Sequence, residues 1–449
     1  AGVRANEILD QMKDVSADEE GSARPDVISY NTVLAAWSKS ASVGSSDMTE
    51  REEGVRASSV VGKSAAYCAL RLLDTMERRY MQSDHGDRYG DRRSRVVKPD
   101  AVSYSTAIAA FANAAGTCED GVPMAEEAEA ILSRMTDRVG IEPDDYSYNG
   151  VLLAWARSSG GLPAARRAES ILRSMRDPTV VSWSTVVNSF AHADSANRAE
   201  ALLREMERNA NSYDPGKGGG RAPIAPSVVL YNNVLHAWGK SSDGDASKNA
   251  VDLLDRMEGT AKLPRPDAIS YQLVLTALQH GKDPNKAERA RSVLDRLRAS
   301  LRGRHDGAEP RQIQKAYNCV LTSCAYTPAD AGKLHRSNAA RILVETLRDM
   351  NLPLSPGIIS DGPDQESFAL FMQGCIHLFE PASEERNTLI TSAFRECCRK
   401  GLLNRIIWDK ICSALPPELV KPFIEGTIPV GDMGLCYEKL PKKWSCNDR

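Results

Sequence analysis

The segment Val60–Ser64 contains the residues of this sequence that come nearest to a catalytic motif. It reads Val-Val-Gly-Lys-Ser and ends like a loop that binds nucleotide phosphates through Lys63 and Ser64. Such a loop needs a glycine five residues before Gly62, but Ala57 stands there, so the signature fails. His-Glu-x-x-His and Gly-x-Ser-x-Gly are also absent. The sequence therefore predicts no enzyme, no cofactor and no metal site.

The ten cysteines offer no metal or redox signature either. None forms Cys-x-x-Cys, Cys397 and Cys398 are adjacent, and Cys319 and Cys324 are five residues apart. These spacings do not match zinc or haem motifs. Because several cysteines occupy apolar helical positions, we expect reduced thiols in a protein core, as in a reducing compartment.

One recurring phrase indicates a repeated structural unit. Its first copy reads Pro-Asp-Val-Ile-Ser-Tyr-Asn, and clear copies start at Pro25, Pro99, Pro143, Pro178, Pro226 and Pro266. Weaker copies centre on Tyr317 and Phe368. Proline followed by Asp, Thr or Ser is a helix-start signal, because the short polar side chain accepts a free backbone N–H of the first turn. Each phrase therefore begins a helix, called helix A below.

A second pattern follows every phrase. Alanine is followed by apolar residues three and four positions later and by Met or Leu after seven, as in Ala69, Leu72, Leu73 and Met76. This spacing puts the four side chains on one face of a helix, called helix B. One A–B pair cannot bury both of its faces, so neighbouring pairs must stack. We expect the methionines to be core residues.

Polar insertions lengthen most units. The shortest unit runs 35 residues, from Tyr148 to Trp183. Residues 40–62, 80–97 and 209–225 account for much of the extra length and are predicted to be loops. The sequence thus predicts a partial N-terminal repeat, helix B alone, at 1–26. Seven repeats follow at 27–364, and a degenerate repeat with a helical C-terminal cap or tail occupies 365–449.

The charge balance restricts the partners. The formal net charge is −3, whereas proteins that bind nucleic acid only through its phosphates are usually strongly basic. A nucleic-acid partner would therefore have to be recognised through local cations and base contacts. No run of about 18 apolar residues occurs, so we expect no membrane span, and we identify no targeting peptide.

Helix pairs with a minimal length of 35, a Pro-Asp end and a Ser-Tyr-Asn start resemble the pentatricopeptide repeat family, strongly over 1–364 and weakly over 365–400. The resemblance implies an all-α, right-handed superhelical solenoid of about eight helix-turn-helix pairs. It implies sequence-dependent binding of single-stranded RNA along the concave face, as a mitochondrial or chloroplast factor in RNA stability, processing or translation. It further implies a monomer without a membrane or DNA partner.

The resemblance also implies which residues read the bases: the residue after the aromatic and the last residue of the repeat. The implied pairs are Asn31 with Asp100, Ser105 with Asp144, Asn149 with Thr179, Ser184 with Ser227, Asn232 with Asp267, Gln272 with Ile313, and Asn318 with Asp364. Their amides, hydroxyls and carboxylates differ in donors and acceptors, as the edges of unpaired bases do. The implied RNA reads U-G-pyrimidine-A-U-any-U from its 5′ end.

Two further rows belong to the implied RNA surface. An apolar row two residues before the aromatic would pack on base faces, and it consists of Ile28, Val102, Tyr146, Val181, Val229 and Ile269. Lys315 interrupts it. The row nine residues after the aromatic would face the phosphates through Lys39, Arg157 and Lys240, while Asn113, His192, His280 and Tyr326 hold its other places. Few fixed cations predict weak, salt-sensitive binding.

Two questions stay open from the sequence alone. A protein-scaffolding solenoid that binds a peptide or partner protein in the same groove is favoured by the charge of −3, whereas the polar row favours RNA. Residues 384–414 predict two more helices with Trp408 and Leu415 on apolar faces. The proline-rich end either caps the last pair or forms a docking tail that ends near Trp444.

Overall fold

The computed structural model describes residues 1–18, 25–42, 52–84, 97–211, 225–302, 310–328, 330–352, 362–381, 383–416, 418–420 and 440–445. Within these residues the secondary structure is helical, without strands, as the sequence predicts. The α-helices are α1 (Gly2–Asp18), α2 (Val27–Ser42), α3 (Glu52–Asp84), α4 (Ala101–Ala115), α5 (Val122–Val139), α6 (Asp145–Arg157), α7 (Gly161–Ser174), α8 (Val180–His192), α9 (Ala196–Asn211), α10 (Val228–Lys240), α11 (Ala246–Gly259), α12 (Ala268–His280), α13 (Lys286–Arg302), α14 (Pro310–Ala325), α15 (Lys333–Met350), α16 (Gln365–Leu378), α17 (Glu384–Lys400) and α18 (Arg405–Ala414).

The chain divides into two compact units, Ala1–Pro226 and Ser227–Arg449. In the first unit α2, α4, α6 and α8 are helices A, each followed by its helix B, and α1 is a helix B without a preceding partner. In the second unit α10, α12, α14 and α16 are helices A. Within the described residues, eight pairs of helix A and helix B follow α1.

Each unit has two layers. Within each unit, successive helices A pack side by side, and each helix B packs against the helices A that precede and follow it in that unit. The alanine–methionine pattern explains this arrangement: Ala128, Ile131 and Met135 of α5 are completely buried, and the corresponding side chains of the other pairs are mostly buried too. Small alanines allow close approach of helices, and the methionines fill the remaining space. The prediction that the methionines form core is confirmed.

Polar caps set where most helices A begin. The side chains of Asp26, Asp100, Asp144, Thr179, Asp267 and Asp364 each accept the backbone N–H three residues later. Helix α14 differs: it starts at Pro310, so Ile313, at the cap position, lies inside the helix and is buried. An apolar side chain cannot cap, and the helix therefore begins one turn earlier.

The structure corrects the borders of the predicted insertions. Residues 52–62 and 80–84, expected as loop, belong to α3, a continuous helix of 33 residues. No proline interrupts this stretch, and residues such as Glu, Arg and Ala favour helix. Helix α9 likewise extends to Asn211. The remaining parts of the insertions, residues 43–51, 85–96 and 212–224, lie outside the described residues.

The C-terminal helices follow the prediction for 384–414. Trp408 and Leu415 are buried as expected, and the ring of Trp408 lies 6.1 Å from that of Phe394 on α17. A 3-10 helix at Lys442–Trp444 also lies beside Phe394. The Trp444 ring meets Phe394 edge-on at 5.9 Å, and the Trp444 carbonyl accepts the Leu403 N–H at 2.8 Å. This segment lies against α17; residues 421–439 lie outside the description.

Candidate nucleic-acid interface

Residues predicted to read one base meet across neighbouring helices A. Asn31 of α2 donates a hydrogen bond from Nδ2 to Oδ1 of Asp100 at 3.1 Å. Ser103, in the first turn of α4, donates from Oγ to Oδ1 of Asn31 at 2.7 Å. Asp100 meanwhile caps α4 by accepting the Ser103 N–H at 2.8 Å. We call this arrangement of asparagine, cap residue and serine the clasp.

The clasp recurs in three further places. Asn232 with Asp267 and Ser270 has amide–carboxylate distances of 3.3 and 3.4 Å and a serine–amide distance of 2.7 Å. Asn318 with Asp364 and Ser367 has distances of 3.4 and 2.6 Å. In Asn149 with Thr179 and Ser182, a hydroxyl replaces the carboxylate at 3.5 Å, and the serine–amide distance is 2.6 Å. The structure thus brings four of the predicted pairs together.

Two of the other pairs show no such contact among the described residues, and the third, Ser184 with Ser227, spans the two units. Ser105 donates to the Val102 carbonyl at 3.2 Å, while Asp144 caps α6. Ser184 lies on α8 of the first unit, and Ser227 precedes α10 of the second unit without forming a side-chain cap. The partner position of Gln272 is the buried Ile313, which has no polar atom in its side chain to offer. The positions of Ser105 and Gln272 therefore lack the clasp.

The predicted reading residues also differ in how much of each is exposed to solvent. Asn31, Asn149, Ser184, Asn232 and Gln272 are partly exposed. Ser105 and Asn318 are buried, with 6% and 5% exposed, and Asn318 also donates to Glu366 at 3.2 Å. The partly exposed residues are therefore better placed to meet a ligand than these two.

The apolar row is open to solvent along its whole length. Its six members are between 44% and 73% exposed, although each is a large hydrophobic side chain on an otherwise well-packed helix A. Each lies three residues before a reading residue, hence on the same side of its helix. Lys315, which interrupts the row, is exposed as well. Exposed apolar side chains repeated in register mark a surface that binds a partner.

The cationic row is also exposed. Lys39, Arg157 and Lys240 are exposed at or near the ends of their helices A. The Arg157 guanidinium donates to the side-chain carbonyl of Asn113 at 3.0 Å, so two members of the row touch. Neither Lys39 nor Lys240 forms an ion pair with another described residue. Their charges are available to an anionic ligand.

Many acidic residues are neutralised on the helix-B layer instead. Arg134 of α5 pairs with Glu77 of α3, Arg167 of α7 with Glu129 of α5, and Arg198 of α9 with Glu169 of α7. The second unit repeats the pattern with Arg296 and Glu258 and with Arg291 and Asp349. Part of the acidic charge is therefore paired with arginine on helices B, while Lys39 and Lys240 are exposed on helices A.

The thiols are suited to packing rather than to reaction. Cys319, Cys324, Cys375 and Cys397 are buried free cysteines. Burial raises the pKa of the Cys324 thiol to about 12 and that of Cys319 to about 11, so both stay protonated near neutral pH. Among the described residues no group of three or more His, Cys, Asp or Glu could hold a metal ion. None of the described helices is long and apolar enough to cross a membrane.

The serines of the clasp were not among the predicted site residues. Ser103, Ser182, Ser270 and Ser367 are all completely buried. The sequence does contain a signal for these serines, because serine precedes the aromatic in most copies of the phrase. A helix-start pattern alone, however, accounts for serine at this position. In the copy before α10 this serine is Leu230, and there the cap hydrogen bond is missing.

No family model matches the chain. Two chloroplastic pentatricopeptide repeat-containing proteins of Arabidopsis thaliana are similar to it. One is 25% identical over 187 residues, which are 40% of this chain and 19% of that protein. The other is 26% identical over 138 residues, 30% of this chain and 21% of that protein. The matches thus cover about a fifth of the length of these curated relatives.

Among solved structures, the chain is similar to the pentatricopeptide repeat protein PPR10 in complex with an 18-nt psaJ RNA element. The TM-score is 0.40 at 20% identity, and the match covers 95% of this chain and 49% of that one. The structure of PPR10 from maize matches with a TM-score of 0.42 at 16% identity, over 94% of this chain and 66% of that one. The repeated phrase, the stacked A–B pairs and the two curated relatives make the chain similar to pentatricopeptide repeat-containing proteins.

Proposed function

We propose that the helix-A surfaces of both units bind single-stranded RNA in a base-dependent way, as an organellar factor in RNA stability, processing or translation and without catalysis by this chain. The observation that carries the proposal is the exposed apolar row beside the clasps. The flat faces of unpaired bases need apolar partners, and their edges need donors and acceptors. Each complete repeat offers both on one side of one helix.

The spacing within a helix A supports this assignment. Ile28 and Asn31 are one turn apart on α2, as Val229 and Asn232 are on α10. A base that packs on the aliphatic side chain would bring its edge toward the amide. A peptide would need no such alternation of one apolar and one amide group in each repeat.

Local cations provide the remaining contact. Lys39 and Lys240 are exposed on the same helices as these amides, and the helix-B ion pairs keep many carboxylates on the other layer. Exposed lysines near a polyanion add affinity that falls with salt. The total charge of −3 is therefore compatible with an RNA ligand of moderate, salt-sensitive affinity.

Binding of a fluorescent U-G-C-A-U-N-U RNA, compared with a scrambled RNA in moderate salt, tests the proposal. Asn232→Ser should move the preference at the fifth base from U toward G. The substitution makes the same combination of serine and aspartate as Ser105 with Asp144, the pair assigned to G. Asn233→Ser is the matched control, since it makes the same change one residue further along α10 and should alter nothing. If the correctly folded chain binds no single strand, the RNA proposal fails and a protein partner takes its place.

A further inference from the structure

The serine before the aromatic residue contacts the reading residue of the preceding repeat wherever that residue is asparagine and the serine is present. The Oγ atoms of Ser103, Ser182, Ser270 and Ser367 lie 2.6–2.7 Å from the Oδ1 atoms of Asn31, Asn149, Asn232 and Asn318. Helix capping alone does not require this contact. Ser147 occupies the same place in α6, is equally buried and contacts Asp144, but it touches no asparagine.

The donors and acceptors around Asn232 allow one consistent assignment. The Ser270 N–H donates to Asp267 Oδ1 at 2.8 Å, and the Asp267 N–H donates to Ser270 Oγ at 3.2 Å. The amide nitrogen of Asn232 faces the Asp267 carboxylate, which can only accept. The single hydroxyl proton of Ser270 has two acceptors within reach, Asn232 Oδ1 at 2.7 Å and Asp267 Oδ1 at 2.9 Å. Donation to Asp267 would leave the Asn232 and Ser270 oxygens 2.7 Å apart without a proton between them, so the proton goes to Asn232.

The opposite amide orientation is disfavoured. Rotation by 180° about the last side-chain bond of Asn232 would set its oxygen against the carboxylate of Asp267, and two acceptors repel each other. Ser270 could still accept from the rotated NH₂ group, so the carboxylate selects the orientation and the serine hydrogen bond holds the amide in it. Carboxylate and serine therefore hold the amide from its two sides. One N–H and one lone pair of Asn232 remain, and their positions are fixed relative to α10.

We infer that Ser270 and its counterparts Ser103, Ser182 and Ser367 are positioning residues that set base selectivity by holding the asparagine amide in one orientation. The inference rests on the proposed function and assigns specificity to a residue that touches no base. Uracil presents an N–H between two carbonyl oxygens, whereas cytosine presents an NH₂ group beside an unprotonated ring nitrogen. Rotation of the amide exchanges its donor and acceptor, so a fixed orientation separates uracil from cytosine.

The clasp at Asn149 has a hydroxyl in place of the carboxylate and therefore does not restrict the amide to one orientation. Thr179 lies 3.5 Å from the Asn149 amide and 3.0 Å from Ser182, and its hydroxyl can donate or accept. Both orientations of the Asn149 amide then find partners. The expected result is a repeat that accepts either pyrimidine, while the repeats with aspartate prefer uracil.

Ser270→Ala tests the inference, with Ser147→Ala as the matched control. Both variants remove a buried hydroxyl from the same capping position, but only Ser270 contacts an asparagine. Affinities are measured for RNAs that differ only in U or C at the fifth base. Ser270→Ala should reduce the U-to-C preference by about threefold to tenfold, the range for one lost hydrogen bond. A change in affinity shared equally by both RNAs would instead indicate a purely structural role and would overturn the inference.

Ser147→Ala should leave the fifth-base preference as it is in the unchanged chain. Equal loss in both variants would show that capping, not the amide contact, controls selectivity. If Ser270→Ala does not fold, Ser103→Ala provides the same test at the first base, read by Asn31.

A measurement without RNA separates this inference from the proposed function. In protein labelled with ¹⁵N-asparagine, the side-chain amide of Asn232, assigned through Asn232→Ser, should exchange its protons with water more slowly than an exposed amide. Ser270→Ala should accelerate that exchange several-fold and Ser147→Ala should not. If Ser270→Ala accelerates the exchange but the unchanged chain shows no base preference, only the RNA proposal is refuted. Unchanged exchange in Ser270→Ala would refute the positioning role.

Discussion

The phenolic hydroxyl of Tyr104 donates a hydrogen bond of 2.7 Å to Glu77, and both side chains are buried. Arg134 and Arg138 of α5 bind the other carboxylate oxygen of Glu77 at 2.7 and 2.8 Å. Burial and the Glu77 hydrogen bond raise the pKa of Tyr104 far above its ordinary value, so the phenol remains a donor at physiological pH. A single carboxylate thus joins α3, α4 and α5.

Glu77→Gln should lower the free energy of unfolding by about 2–4 kcal/mol, because it leaves the partly buried Arg134 guanidinium and the buried Tyr104 phenol with a weaker partner. Glu258 is the matched position: it accepts from Tyr271 at 2.7 Å and from Arg296, but its side chain is 32% exposed. Glu258→Gln should cost less than about 1 kcal/mol because solvent screens the pair. Urea unfolding followed by circular dichroism measures both, and equal losses would contradict this account.

Tyr146→Ala should weaken RNA binding by about fivefold or more without lowering the thermal unfolding temperature. The Tyr146 side chain is 69% exposed and offers a base a flat apolar face, which the folded chain alone does not use. Val3→Ala is the control, because it removes an apolar side chain that is 61% exposed on α1, outside the row. Fluorescence anisotropy gives the affinities. Equal effects of the two substitutions would exclude a specific role for the row.

Thr179→Asp should convert the third base from either pyrimidine to a preference for U of about threefold to tenfold. The carboxylate can only accept, so it admits one orientation of Asn149, and aspartate remains a good helix cap for α8. Thr185→Asp adds the same charge further along α8 and controls for electrostatic repulsion of RNA. If the base preference stays unchanged in Thr179→Asp, the cap residue does not take part in base selection.

Replacing Lys39 and Lys240 together by Gln should lessen the slope of log affinity against log salt by about 1.4. Each cation that touches the phosphates of a single strand contributes about 0.7 to that slope. Lys248 and Lys262 are also exposed but lie on or after helix α11. The corresponding double variant should keep the original slope, and a slope altered by both pairs would point to a general charge effect.

The repeats could be predicted from sequence because their signals are local. A Pro-Asp pair begins a helix, and an Ala-x-x-apolar-apolar spacing makes a buried face, whichever unit contains them. The clasp could not be predicted in the same way, because it joins Asn31 to residues about seventy positions away, in a helix that only stacking brings near. The extension of α3 into the first insertion escaped prediction because polar residues suit both loops and exposed helix faces.

The start of α14 shows a different limit. The sequence alignment puts Ile313 at a cap position, but an apolar residue there is more stable inside a helix, which begins at Pro310 instead. The base assignments themselves remain predictions, since proximity of Asn232 to Asp267 does not reveal which base they select. The geometry does indicate which of the predicted reading residues are accessible, and it separates the buried Ser105 and Asn318 from the partly exposed ones.

Under the proposed function, the capping role of Asp100, Asp267 and Asp364 limits how the RNA target can change over evolution. A substitution there must still cap a helix, and only Asp, Asn, Ser and Thr do so well; other residues cost about 1 kcal/mol at each site. Changes within these four residues can redirect recognition while the fold is retained. Thr179, which caps α8 where most other copies have aspartate, already shows such an exchange within this one chain. Helix capping therefore restricts this position to a few residue types, and specificity can change among them without loss of stability.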